Sequence, residues 1–158
     1  MRFINAPRWP WRRPKFLVDF FGYAHWRTTQ FQEKRLEKKF SIETSIPESD
    51  YLSDVQSENK AFAVPYEAIQ IDVFNEMLSC AAELLEPISS WHFVDMGSGK
   101  GRALIYAAEA GFRRCTGIEF SQSLHEIAKQ NIQSYRTLGN RQCQFSLHCM
   151  DAVDFTLP

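Results

Sequence analysis

The sequence predicts an α/β fold whose parallel sheet is laid down by a continuous βαβαβ run in the C-terminal part of the chain. Three observations predict it. Short apolar runs at Trp91–Met96, Cys115–Phe120 and Cys143–Met150 read as strands, and segments of helical period separate them. Each intervening segment is long enough to carry the chain back for parallel pairing by a right-handed crossover. A glycine-dense turn, Gly97 to Gly101, joins the first strand to the helix that follows.

The chain has 158 residues, enough for one domain with its own core, and its 44% apolar and 14% aromatic content belongs to a globular chain. A net charge of −1 gives no whole-chain sign of a nucleic-acid binder, so nucleic acid is not expected as a partner. Arg2, Arg8, Arg12, Arg13 and Lys15 do cluster with no acid among them, which reads as a solvated face. Cys80, Cys115, Cys143 and Cys149 form no C-x-x-C pair, and His25, His92, His125 and His148 are scattered. That pattern predicts no metal site and no disulfide framework, but buried or half-buried reduced thiols in a cytoplasmic protein. No apolar run approaches the ~18–20 residues that span a bilayer, and Pro7, Pro10 and Pro14 interrupt any amphipathic leader helix.

Residues 1 to about 26 carry Trp9, Trp11, Phe16, Phe20, Phe21, Tyr23 and Trp26, rings expected to pack onto the body of the protein. Thr28 or Thr29 is expected to cap a helix running to Phe40, with Phe31, Leu36 and Phe40 inward. Residues 41–60 are polar and read as a long loop, which sets a boundary between an N-terminal segment, 1–60, and a second unit, 61–158. A helix is expected from Tyr66 to Pro87, its apolar face marked by Ile69, Val73, Met77, Leu78, Ala81, Leu84 and Leu85. After the first strand and the glycine turn, a helix covers Ala103–Ala110 and stops at Gly111. Ser121 is expected to cap the next helix, through Leu124, Ile127, Ala128 and Ile132 to Leu138, before a Gly139-Asn140 turn and the third strand.

The chemistry lies in Phe93-Val94-Asp95-Met96-Gly97-Ser98-Gly99-Lys100-Gly101-Arg102. A phosphate-cradling G-x-x-x-x-G-K-[ST] loop would need Gly at 94 and Ser or Thr at 101, where Val94 and Gly101 stand. The dinucleotide fingerprint G-x-G-x-x-G/A is broken by Arg102, or by Leu104 if it starts at Gly99. What remains is an acid, one residue, then G-x-G-x-G. Lys100 and Arg102 are expected on the first turn of a solvated helix. Glu119 ends the second strand 22 residues after Gly97, near the ~20 expected for one βα unit, where a carboxylate can accept from both hydroxyls of a ribose. Asp151 follows the third strand.

The segment resembles motif I, D/E-x-G-x-G-x-G, of the class I methyltransferases that use S-adenosylmethionine. The resemblance implies that Gly97, Ser98, Gly99 and Gly101 form the cofactor turn, that Gly97 and Gly99 line the methionine portion, and that Asp95 orients its ammonium group. It further implies that Glu119 holds the ribose, that Phe120 and Met150 lie against the adenine, and that Asp151 meets the adenine amino group. The Tyr66-Glu67 pair ahead of the motif looks like that of bacterial methyltransferases of unassigned substrate and of lysine methyltransferases built on this fold. Tyr66 is thereby implied to cover the methionine end, and a protein lysine is one acceptor the resemblance allows.

A complete Rossmann-like fold of this family has seven strands in the order 3-2-1-4-5-7-6. Here the resemblance covers 61–155, strands 3-2-1, and Val153–Pro158 falls where the fourth strand should begin. The C-terminal half is therefore expected to be absent, as in a fragment or a truncated product, or in a small domain completed by a partner or by its own N-terminal segment, and the first strand to present a bare edge open to intermolecular pairing. No catalytic residue is assigned, because the acid–base groups are expected in that half. Two rivals remain: a non-catalytic module binding S-adenosylmethionine or a nucleotide, and half of an NAD-dependent oxidoreductase.

Overall fold

The computed structural model describes residues 15–45, 53, 55, 58–62, 66–81, 84, 87–139 and 142–157, with the helical backbone alone for 15–26. The expected packing of Trp9, Trp11, Phe16, Phe20, Phe21, Tyr23 and Trp26 lies outside these described residues and side chains, as do Leu85, Asn140 and much of 41–60.

Helix α1 spans Lys15–Phe40. It does not begin at Thr28 or Thr29. No proline follows Pro14 until Pro47, so nothing stops the helix from extending N-terminally past both threonines. Thr29 is instead buried inside the helix, and its hydroxyl donates to Asp72 Oδ2 at 3.2 Å. Phe40 is buried as expected, whereas Phe31 is 68% exposed and takes no part in the core.

Helix α2 is Ile71–Ala81, five residues later than expected, so Tyr66 and Glu67 precede it in a non-helical stretch. Its anchor is Phe74, missed in the sequence, which is 2% exposed and meets Phe93 and Tyr106 edge to face. Ile71, Phe74 and Leu78 form the inward arc at spacings of three and four. Val73 and Met77 flank that arc and remain 45% and 56% exposed, and Leu84 is exposed too.

The βαβαβ run is as expected. Strand β1 is His92–Met96, α3 Arg102–Ala110, β2 Arg114–Glu119, α4 Gln122–Leu138 and β3 Gln144–Cys149. All three strands are parallel, in the spatial order β1-β2-β3, with Asp95 beside Gly117 and Glu119 beside Cys149. The Ser121 hydroxyl caps α4 by accepting from the Leu124 N–H. Among the described residues β1 has no second neighbour. Cys115 and Cys143 are buried, while Cys80 and Cys149 are exposed, against the expectation of buried or half-buried thiols throughout.

The core lies between the sheet and the helices, with α3 buried from Arg102 to Ala108. Phe40 and Ile42 belong to the same core as Leu104, Ile105 and Tyr106, and Phe40 meets Tyr135 of α4 edge to face, so the end of α1 and the strap after it join the core. Among the described residues no helix is long and apolar enough to cross a membrane.

Candidate functional site

The bend after β1 is held down by β2. The N–H groups of Gly97 and Ser98 both donate to the Ile118 carbonyl, at 2.8 and 2.9 Å. This close approach depends on Gly117, where a Cβ would come within 2.8 Å of Ser98 Oγ and 2.7 Å of Leu104 Cδ1. Gly97, Gly99 and Gly101 all have positive φ, the conformation a glycine adopts without strain.

Glu119 turns into the bend. Its Oε2 accepts from the Gly99 N–H at 2.8 Å, and its Oε1 accepts from the Ser121 N–H at 2.9 Å. Asp95 lies close enough to feel it: burial, then the Glu119 charge, pushes the Asp95 carboxyl up to about 6. Met150 is tied to the same strand tip, its N–H donating to the Glu119 carbonyl at 3.1 Å. Asp151 caps the 3-10 turn Ala152–Asp154 and accepts from Asn59 Nδ2 at 2.9 Å. Phe120 is half-buried between β2 and Ser121.

Tyr66 sits over the bend. A Cβ built on Gly99 would run into its ring. Its hydroxyl donates to the Thr44 carbonyl at 2.8 Å, and burial raises its pKa. The structure thus brings Asp95, Gly97, Ser98, Gly99, Gly101, Glu119 and Tyr66 around one turn, with Met150 and Asp151 at the adjoining end of β3.

Lys100 and Arg102 are not solvated. Lys100 is 0% and Arg102 5% exposed, because acids from the N-terminal segment cover them. Lys100 Nζ meets Glu43 Oε1 at 2.9 Å and lies 5.6 Å from the Tyr66 ring centroid. Arg102 pairs with Glu33 and Glu37, both at 3.3 Å. Asn131 of α4 completes the clamp. Its amide accepts from the Glu43 N–H and donates to the carbonyls of Glu43 and Lys100. None of Glu33, Glu37, Glu43, Thr44 and Asn131 was singled out in the sequence. The available signal was that Glu33, Glu37 and Phe40, at i, i+4 and i+7, share one arc of α1.

The raised pKa of Asp95 gives a stability prediction. Its contribution is fully present below the unfolded value, 3.8. It is lost as pH rises through about 6. Urea titrations across that window should show the loss, and Asp95→Asn should flatten it. An unchanged slope in Asp95→Asn would contradict the assignment.

The family model described as "Histone methylation protein DOT1" matches residues 34–154. The chain belongs to this family, and its sheet is the first part of the class I methyltransferase fold. No curated protein matches it. Among solved structures, it is similar to a candidate RNA methyltransferase from Pyrococcus horikoshii, with 17% identity, a TM-score of 0.47, and coverage of 78% of this chain and 54% of that one. It is also similar to a candidate S-adenosyl-L-methionine-dependent methyltransferase from Methanococcus maripaludis, with 18% identity, a TM-score of 0.36, and coverage of 60% and 49%. The chain spans about half the length of these structures.

Proposed function

We propose that the bend between Asp95 and Arg102 holds S-adenosylmethionine, and that the whole protein transfers its methyl group to a protein lysine. The observation that carries the reading is the Gly99 N–H to Glu119 hydrogen bond of 2.8 Å, which sets the carboxylate at the tip of β2 against the glycine turn after β1. The space fits such a ligand: a Cβ at Gly97 would meet nothing within 4 Å, leaving the backbone open to close approach. The acceptor class rests on the family description, histone methylation.

On this reading the turn of Gly97, Ser98, Gly99 and Gly101 holds the cofactor, with Gly97 and Gly99 lining the methionine portion beside the Tyr66 ring, and Asp95 accepts from its ammonium. Glu119 accepts from the ribose hydroxyls, Phe120 and Met150 flank the adenine, and Asp151 accepts from its amino group. Residues 61–158 form the partial cofactor domain and 1–60 its N-terminal extension. The open edge of β1 is the pairing surface for the next strand, from a longer chain or from a partner.

When bound, S-adenosylmethionine supplies an electrophilic methyl on a sulfonium, a leaving group that needs no covalent help. The residues of this chain therefore bind, orient and exclude water. Asp95 links binding to pH. A neighbouring ammonium favours its ionised form, so affinity rises as pH increases through about 6.

Calorimetry and thermal shift with S-adenosylmethionine and with NADH test the reading. Saturable binding and a raised melting temperature are expected with S-adenosylmethionine alone. Binding of NADH in its place would favour the oxidoreductase and overturn the proposal.

A further inference from the structure

We propose that Arg102 is a positioning residue for the aminobutyrate arm of the cofactor, acting through the glycine bend without touching the ligand. The inference rests on the S-adenosylmethionine reading above.

The bend has two anchors, reached by different routes. Glu119 holds the side assigned to the adenosyl group, through the N–H groups of Gly99 and Ser121. Arg102, the first residue of α3, holds the other. A guanidinium has five N–H donors in a fixed fork. In Arg102 the Nε N–H donates to Thr44 Oγ1 at 2.7 Å. Nη1 faces the Ile69 carbonyl and Glu33 Oε2, both at 3.3 Å. Nη2 faces Glu37 Oε1 at 3.3 Å and Ser45 Oγ at 2.6 Å. Five partners match five donors, all of them protein groups on α1, the strap 41–45 and the approach to α2. The cation at the mouth of the turn is thus committed to the scaffold and has no donor left for a ligand carboxylate.

The route from Arg102 back to the bend is a chain of contacts. Thr44 is 0% exposed, and its hydroxyl accepts from Arg102 and donates to Glu37 Oε1 at 2.7 Å. The Thr44 carbonyl accepts from the Tyr66 hydroxyl, and the Tyr66 ring closes over Gly99. Arg102 therefore fixes Thr44, Thr44 fixes the ring, and the ring lies directly against Gly99, where it bounds the methionine side of the bend. Glu119 reaches the bend through bonds that involve neither Thr44 nor Tyr66, so a fault at Arg102 should be felt chiefly at the aminobutyrate end of the cofactor.

Two ligands separate the ends: S-adenosylhomocysteine, which carries the aminobutyrate arm, and 5′-methylthioadenosine, which lacks it. Both are titrated calorimetrically into the wild-type chain, Arg102→Lys and Thr44→Val. Arg102→Lys keeps the charge and loses the fork. Thr44→Val removes only the hydroxyl between Arg102 and Glu37 and strands no charge, so it carries the test should the lysine variant fail to fold. Both variants should bind S-adenosylhomocysteine about tenfold more weakly, with methylthioadenosine affinity changed by less than about twofold. Equal losses for the two ligands, as a merely structural role would give, or no loss for either, would overturn the inference. A wild-type chain that binds neither ligand would overturn the cofactor reading and this inference with it.

Discussion

Arg102→Met is expected to lower the unfolding free energy by about 3–5 kcal/mol, the cost of removing the cation from a buried ion pair. Glu33 is 3% exposed, and both of its carboxylate oxygens are engaged, Oε1 accepting from the Ile71 N–H and Oε2 facing Arg102. For Glu37, burial raises the pKa, but hydrogen bonds from the Thr44 and Ser45 hydroxyls and the Thr44 N–H, with the Arg102 charge, outweigh it and hold the carboxyl below its ordinary value. In the wild type the Glu37 contribution is therefore present at neutral pH and is lost as pH falls through the lowered pKa. In Arg102→Met the Glu37 carboxylate, without the guanidinium that lowers its pKa, should protonate more readily, so the deficit should be larger at pH 7 than near pH 5. Urea unfolding at both values measures it. Lys39→Met, which removes the exposed pair with Glu109, should cost under about 1 kcal/mol at either pH. A loss from Arg102→Met no larger than that control would show that the clamp is not a structural element.

Glu119→Ala should weaken S-adenosylmethionine binding about 100-fold, as expected for losing two charge-assisted hydrogen bonds at about 1.5 kcal/mol each. The variant also strips the Gly99 and Ser121 N–H groups of their acceptor, loosening the bend. Glu119→Gln keeps a neutral acceptor and should fall between wild type and alanine. Asp154→Ala, which removes an exposed acid near the end of β3, should bind as wild type does. Calorimetry showing equal affinity for Glu119→Ala and Asp154→Ala would remove Glu119 from the site.

The parts that were legible in the sequence are those fixed by local chemistry. Ser121, whose hydroxyl accepts from the Leu124 N–H, and Gly139, closing an apolar period, set the ends of α4 where they were expected. Short apolar runs set the three strands, and the spacing of Glu119 from Gly97 set its place beside the bend. The misread parts are those fixed by distant partners. Val73 and Met77 fit the helical period as well as Phe74 does, and only packing against Phe93 and Tyr106 decides which of them is buried. Lys100 and Arg102 read as solvated because charged residues on a first helical turn usually are. Their burial depends on Glu33, Glu37 and Glu43, whose own positions depend on an α1 that runs from Lys15. Thr28 and Thr29 looked like caps because their residue type is right. A cap requires a helix start, and the chain supplies one only after Pro14.

The most direct measurement is a crystal structure of the chain with S-adenosylhomocysteine. The ribose hydroxyls should lie within hydrogen-bonding distance of the Glu119 carboxylate, and the aminobutyrate arm should run along Gly97 beside Tyr66. A ligand seated elsewhere, or seated here with its ribose turned away from Glu119, would contradict the account.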